Sequence, residues 1–352
     1  MDPRSGPGLV SLSLPAAPRP DPIAVPAGFL VEMGGAVRIH FLDWAGEGGA
    51  GDVEAGDAEV VEAADDRASD DASAPARPAG GPGILLLHGL AQTAWTWAPV
   101  ARRLCGTARV VAMDLRGHGL SDAPTMGYDP DQLAEDAIAV AEGSGILAPP
   151  DEVPVAPFVV AGIGYGAIVA AWTAHALGAR CAGRVLVDGG WEDLAAATGA
   201  TPDEWLAAIE EPPEVLASMS AWLADREAFD PASWDEDQER AARAQVVETA
   251  AGRVKIAVHP HALRGSVEAM WIYDPVAVLP DVEATIVALP ARDDDGTRLA
   301  ALRDVAALRA ATGRPGIRVA AFPDRGHNLP RHEPDAVASA VLAAAAGSTM
   351  RR

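Results

Sequence analysis

The sequence predicts an α/β protein: a mostly parallel, doubly wound sheet with a helical cap. Three observations predict it. Six short apolar runs, ending at Gly89, Gly119, Gly164, Gly190, Ala291 and His327, are unbroken and rich in Val, Ile and Leu, as strands buried on both faces are. Helix-like stretches such as "DQLAEDAIAVAEGSG" and "TRLAALRDVAALRAATG" separate several of them, and strand–helix alternation implies a parallel sheet covered on both sides. One long segment, from Trp191 to Pro280, breaks the alternation with helix-like material alone.

Residues 1–27 are rich in Pro and Gly and are expected to be poorly ordered. "FLVEM" and "VRIHFLDW", separated by "GGA", read as a β-hairpin. Residues 45–81 hold Gly, Ala, Asp and Glu with no aromatic and no steady period, the composition of an acidic, mostly disordered insertion. The core is expected to comprise residues 28–190 and 281–347, and the cap residues 191–280. In the cap, "TPDEWLAAIEE", "PEVLASMSAWLADREAF" and "DEDQERAARAQVVETAA" start at Thr, Pro or Asp and read as capped helices. Five of the nine tryptophans, Trp191, Trp205, Trp222, Trp234 and Trp271, fall there, either packing cap against sheet or lining an apolar pocket.

A formal net charge of −23 over 352 residues repels nucleic acid and anionic membrane surfaces. Cys105 and Cys181 sit in apolar or helical contexts and read as buried free thiols of a reducing compartment. The N-terminus has one early arginine but only a weak apolar stretch, broken by Pro15, and is not expected to be a secretory signal; no apolar run reaches the roughly 18 residues of a membrane span. The cytoplasm is the expected location. No cofactor or metal is expected: His259 and His261 stand two apart with no third ligand nearby, too few for a metal site.

In open α/β sheets ligands sit at the carboxyl ends of strands, so the residues after each apolar run are the candidates. They are "HGL" at His88–Leu90, "DLRGHGLSD" from Asp114, a Gly-x-x-x-Gly corner centred on Gly164, "VDGG" at Val187–Gly190, "ARDDDG" from Ala291 and "GHN" at Gly326–Asn328. In this order the set resembles the α/β-hydrolase superfamily, in its subgroup with a helical cap. The likeness covers Phe29 to Gly347 apart from the acidic insertion. It implies that the corner at Gly164 is a nucleophile elbow, which lifts a reactive side chain into the site on a strand–turn–helix turn. It implies His327 as general base, its tautomer fixed by a carboxylate. That carboxylate is expected within "ARDDDG", at Asp294, with Asp293 the next choice; Asp188 is a second option. The oxyanion hole is expected from the backbone N–H groups of Leu90 and Tyr165, with Trp95 and Gln92 lining the pocket. The "RGHGLSD" loop, with His118 and Ser121, reads as structural.

Gly164 occupies the nucleophile position and has no side chain, so no covalent intermediate can form there. Neither Ile163 nor Ala167 can replace it, and Ser144 lies at the wrong end of the strand. Three readings follow. The His327–Asp294 dyad activates water, or removes a substrate proton as cofactor-free lyases and oxygenases of the superfamily do. Alternatively, catalysis is lost and the pocket binds a ligand or partner. Or the glycine is an engineered or erroneous replacement of a serine. The first is the expectation: a hydrolase-like protein taking a small apolar ester, lactone or carbonyl substrate.

Overall fold

The computed structural model describes residues 6–22, 24–33, 37–44, 81–152, 154, 156–293 and 296–347. The acidic stretch 45–80 and Asp294 lie outside the described residues. The strands are β1 (Leu9–Ser11), β2 (Ala27–Glu32), β3 (Arg38–Trp44), β4 (Gly83–Leu87), β5 (Arg109–Met113), β6 (Phe158–Ile163), β7 (Gly183–Val187), β8 (Val246–Glu248), β9 (Val254–Ile256), β10 (Thr285–Leu289) and β11 (Ile317–Val319). The helices are α1 (Ala98–Leu104), α2 (Pro130–Gly143), α3 (Tyr165–Leu177), α4 (Leu194–Thr198), α5 (Pro202–Ala208), α6 (Met219–Phe229), α7 (Glu236–Ala244), α8 (Pro260–Ile272), α9 (Pro275–Val278), α10 (Thr297–Ala311), α11 (Leu329–His332) and α12 (Pro334–Ala346).

Nine strands form one sheet in the order β1-β11-β10-β7-β6-β4-β5-β3-β2. Only the two pairings made by β3 are antiparallel. The β2–β3 pairing is the hairpin expected from "FLVEM" and "VRIHFLDW". β4, β5, β6, β7 and β10 are buried along their whole lengths, which is why each reads as an unbroken apolar run. One face packs on α2, α3 and α10 through Leu133, Ile168 and Leu302. The other packs on α1 and α12 through Val100, Leu104 and Val341. Chain order reverses at β4, which pairs with both β5 and β6. Helices therefore leave β4 and β6 toward opposite faces and open a crevice at the strand ends.

Two expectations are corrected. Residues 1–27 are not structureless among the described positions: β1 pairs in parallel with β11, Leu12 N–H donates to Val319 O at 2.8 Å, and Leu14 and Ala17 pack on the core. The segment 191–280 is not wholly helical, because β8 and β9 form an antiparallel hairpin. Each of its strands has three residues, too few to register a period of two.

Between β7 and β10 lie α4 to α9. α5 begins with a capping box, Thr201 and Glu204 each accepting from the other's backbone N–H, worth about 1 kcal/mol. Trp222 is buried with its Nε1–H on Ala242 O at 2.8 Å. Trp205 meets Trp271 edge-on at 5.5 Å. These tryptophans both pack and line: Trp205 and Trp222 border the main cavity, whereas Trp271 anchors by donating to Ala200 O. Cys105 and Cys181 are free and buried. Among the described residues no helix is long and apolar enough to cross a membrane.

Candidate active site

Gly164 is the hinge of the β6–α3 corner, with φ +54° and ψ −115°, backbone angles that strain any residue with a Cβ. Its N–H donates to Val187 O at 3.1 Å and its carbonyl accepts from Ala167 N–H at 3.0 Å. The corner closes because neither flanking glycine carries a side chain. A Cβ on Gly162 would stand 2.0 Å from Gly166 O, and one on Gly166 would stand 2.2 Å from Leu87 O. The turn is thus built as an elbow is, but presents backbone only.

His327 stands opposite, on the loop that follows β11. Its Nδ1 lies 2.7 Å from Asp188 Oδ2. With a carboxylate there Nδ1 carries the proton, leaving Nε2 of the neutral ring as an acceptor. Nε2 points at the corner: a Cβ built on Gly164 would meet it at 3.0 Å, and Cε1 at 3.2 Å. The imidazole is half exposed, with 56 % of its side chain open against 2 % for Asp188.

Asp188 directly follows β7 with φ +43°, a conformation rare outside Gly, Asn and Asp. Three donors hold it: Oδ2 faces His327, and Oδ1 accepts from Ala291 N–H at 2.9 Å and Arg298 at 2.7 Å. Burial pushes the carboxyl up, but the His327 hydrogen bond and the Arg298 charge outweigh it and hold it below the ordinary carboxylate range. Arg298 also pairs with Glu192 and stands over the Trp191 ring at 5.5 Å. Burial raises the Glu192 carboxyl, and Arg298 only partly offsets this.

The carboxylate facing His327 is therefore Asp188, the second option in the sequence. Asp294 lies outside the described residues. Asp293 lines the cavity and accepts from Leu299 N–H at 2.8 Å, an interaction at the start of α10. Leu90 and Tyr165 both border the cavity beside Gly164. Among the described residues their backbone N–H groups have no partner; for Tyr165, the first residue of α3, this is the usual state of a helix start. Gln92 also borders the cavity, its Oε1 accepting from Gly89 N–H at 3.0 Å and fixing the loop that carries Leu90. Trp95 is corrected: it does not line the cavity. The turn at Ala94–Trp97 directs it edge-on to Trp44 at 6.2 Å, under Arg240 at 4.8 Å.

The cavity measures about 770 Å³. Its floor is Gly89, Leu90, Gly164 and His327, and Trp205, Ile209, Trp222 and Met270 contribute from the segment between β7 and β10. The wall is not wholly apolar: Glu192, Arg226, Arg292 and Arg298 join it. Sequence reading missed Glu192 and Arg298, because Arg298 reaches Asp188 across 110 positions and Glu192 across 106. The buried histidines nearby are structural. His88 Nδ1–H donates to Gly89 O and its Nε2 accepts from Leu115 N–H. Burial drives the His118 imidazole down to about 3. His261 contacts Ala123 O at 3.0 Å, and among the described residues no group of His, Cys, Asp and Glu could hold a metal ion.

A doubly wound sheet with this elbow and facing histidine defines a hydrolase-type α/β fold. The sequence profile of the alpha/beta hydrolase family matches residues 84–340, and the chain belongs to that family. Over 71 residues it is 37 % identical to 2-(acetamidomethylene)succinate hydrolase of Mesorhizobium japonicum, a match covering 19 % of this chain and 26 % of that enzyme. The chain thus matches about a quarter of that relative's length. The crystal structure of E-2-(acetamidomethylene)succinate hydrolase superimposes with a TM-score of 0.63 at 18 % identity, covering 91 % of this chain and 98 % of that one. The thioesterase domain from the curacin biosynthetic pathway superimposes with a TM-score of 0.63 at 17 % identity, covering 90 % and 99 %. At these identities the likeness is one of fold.

Proposed function

We propose that the protein hydrolyses a small ester, lactone or activated carbonyl compound by general-base attack of water, without a covalent enzyme intermediate. The observation that carries the reading is the Asp188–His327 pair with Nε2 directed at the side-chain-free corner of Gly164. In this reading a water takes the position a nucleophile's oxygen would hold. Nε2 accepts its proton as the oxygen attacks the carbonyl carbon. The carbonyl oxygen, now negative, is held by the N–H groups of Leu90 and Tyr165. Collapse expels the leaving group, which takes the proton from Nε2. Asp188 keeps the ring in the correct tautomer and stabilises its cation. General-base work of this kind contributes about 10²- to 10⁴-fold. Family membership supports hydrolysis over other chemistry. The same dyad could remove a substrate proton in a lyase- or oxygenase-type reaction. The vacant nucleophile position at Gly164 favours a second reading, a catalytically silent ligand-binding member of the fold.

The test is rapid quench of the protein with a panel of activated esters and lactones, followed by intact mass. Turnover with no acyl adduct at any time is expected. An acyl adduct, or no turnover above buffer across the panel, would overturn the reading.

A further inference from the structure

Beside the main cavity lies a second one of about 410 Å³. Gln92, Arg226 and Gln245 line both, so the two chambers adjoin. Four side-chain amides line the second, Gln92, Gln238, Gln245 and Asn328, beside Asp225, Arg226, Arg331 and His332. Among the described residues the amide groups of Gln238, Gln245 and Asn328 have no hydrogen-bond partner, and Asn328 Oδ1 is fully buried without one. Only Gln92 is engaged, through Oε1 on Gly89 N–H. Of these amides, Asn328 Oδ1 alone is buried without the partner such groups normally have, and the amides of Gln238 and Gln245, which make no bond to the described residues, are free to meet an occupant.

The charged side chains around it are already engaged, His332 by Asp230 at 3.1 Å and Arg331 by neutral oxygens alone. Arg226 pairs through one terminal nitrogen with Glu211 and Asp225, each at 2.8 Å, while its Nε is buried without a partner. Arg331 donates to Ser233 Oγ and to Asp230 O. A side-chain amide presents one donor and one acceptor side by side, which is the complement of another amide. Trp234 supplies a flat apolar wall.

We propose that the second chamber binds a neutral amide group, carried on an arm of the substrate whose carbonyl reacts beneath His327. Only the word substrate rests on the hydrolytic reading; the binding does not.

The experiment titrates hexanamide, hexanoate and hexylammonium into the full chain and follows the side-chain NH₂ signals in ¹H–¹⁵N spectra. Hexanamide is expected to shift the signals of Gln238, Gln245 and Asn328 and to bind at least about fivefold more tightly than either ion. Gln238→Leu and Gln245→Leu, one hydrogen-bonding group each, should each weaken it about tenfold. Should either variant fail to fold, the three-probe comparison on the parent still decides. Unmoved signals with hexanamide, or equal or tighter binding of hexanoate, would overturn the assignment. A parallel pair of activated esters, one with a terminal amide and one with a methyl end, separates the two claims. If neither is hydrolysed while hexanamide binds, the hydrolytic reading falls and the chamber's assignment stands. If both are hydrolysed at the same kcat/KM and hexanamide does not bind, the chamber's assignment alone falls.

Discussion

Gly164→Ser puts the absent group back, and its cost can be worked from the geometry. Any side chain at 164 must accept φ +54° and ψ −115°, a strain of about 1–3 kcal/mol. Its Cβ would also stand 3.0 Å from His327 Nε2 and 3.2 Å from Cε1, tighter than an ordinary contact. The ring can yield, because more than half of its side chain faces solvent. A net loss of about 2 kcal/mol is expected, which lowers the midpoint of thermal unfolding by a few degrees in a chain of this size. In exchange the serine oxygen comes within reach of Nε2. Loss of a serine nucleophile in a comparable triad costs about a millionfold in turnover, so even partial restoration should be visible. The assay is labelling by a fluorophosphonate, read by intact mass. Gly164→Ser should gain one adduct, Gly164→Ser with His327→Ala should label at least about a hundredfold more slowly, and the parent should not label. A folded Gly164→Ser that never labels, or a parent that does, would refute the placement of the elbow against His327.

The remaining predictions concern the acid, the buried histidine and a buried cation. Asp188→Asn should lower kcat/KM on any hydrolysed ester by about 10²- to 10⁴-fold, whereas Asp294→Asn should leave it within about threefold; steady-state kinetics on both variants decides which carboxylate serves His327. The folded-state pKa of His118, about 3, lies below its unfolded value near 6.5. The unfolded chain therefore binds the extra proton between them, and stability must fall as pH drops through that window. From pH 6.5 to 4.5 the loss is about 2.3 kcal/mol, and urea midpoints for the parent but not for His118→Gln should record it. Arg184 is fully buried, and none of its guanidinium nitrogens has a partner among the described residues. Arg184→Met should therefore raise stability by about 1–4 kcal/mol, read as a higher unfolding midpoint.

The sheet was legible because its strands are buried on both faces and read as uninterrupted Val, Ile and Leu runs. The rule that ligands gather at strand ends then singled out Gly164, Leu90, Tyr165 and His327, which the structure brings to one cavity. The identity of the carboxylate was not legible. Asp293, Asp294 and Asp295 are consecutive in the sequence after β10 and Asp188 follows the adjacent strand, so spacing along the chain could not rank them. Only the positive φ of Asp188 and the donors from Ala291 and Arg298 turn its oxygen to the ring. "VDGG" carried one usable signal, an acid at a buried strand end followed by two glycines. β1 was hidden because its partner, β11, lies some 300 residues away, and Trp95 was misjudged because a short 3₁₀ turn sends its ring to Trp44. The idle amides of the second chamber come from α7 and its C-terminal end and from the loop after His327, and no periodic pattern links these segments.

The central claim is that His327, held by Asp188, acts on water beside a nucleophile-free elbow. Comparing kcat/KM of the parent and His327→Ala across esters, lactones and activated carbonyls tests it most directly. The account predicts a loss of about a hundredfold or more on every substrate the parent turns over. Equal rates for the two proteins would contradict it.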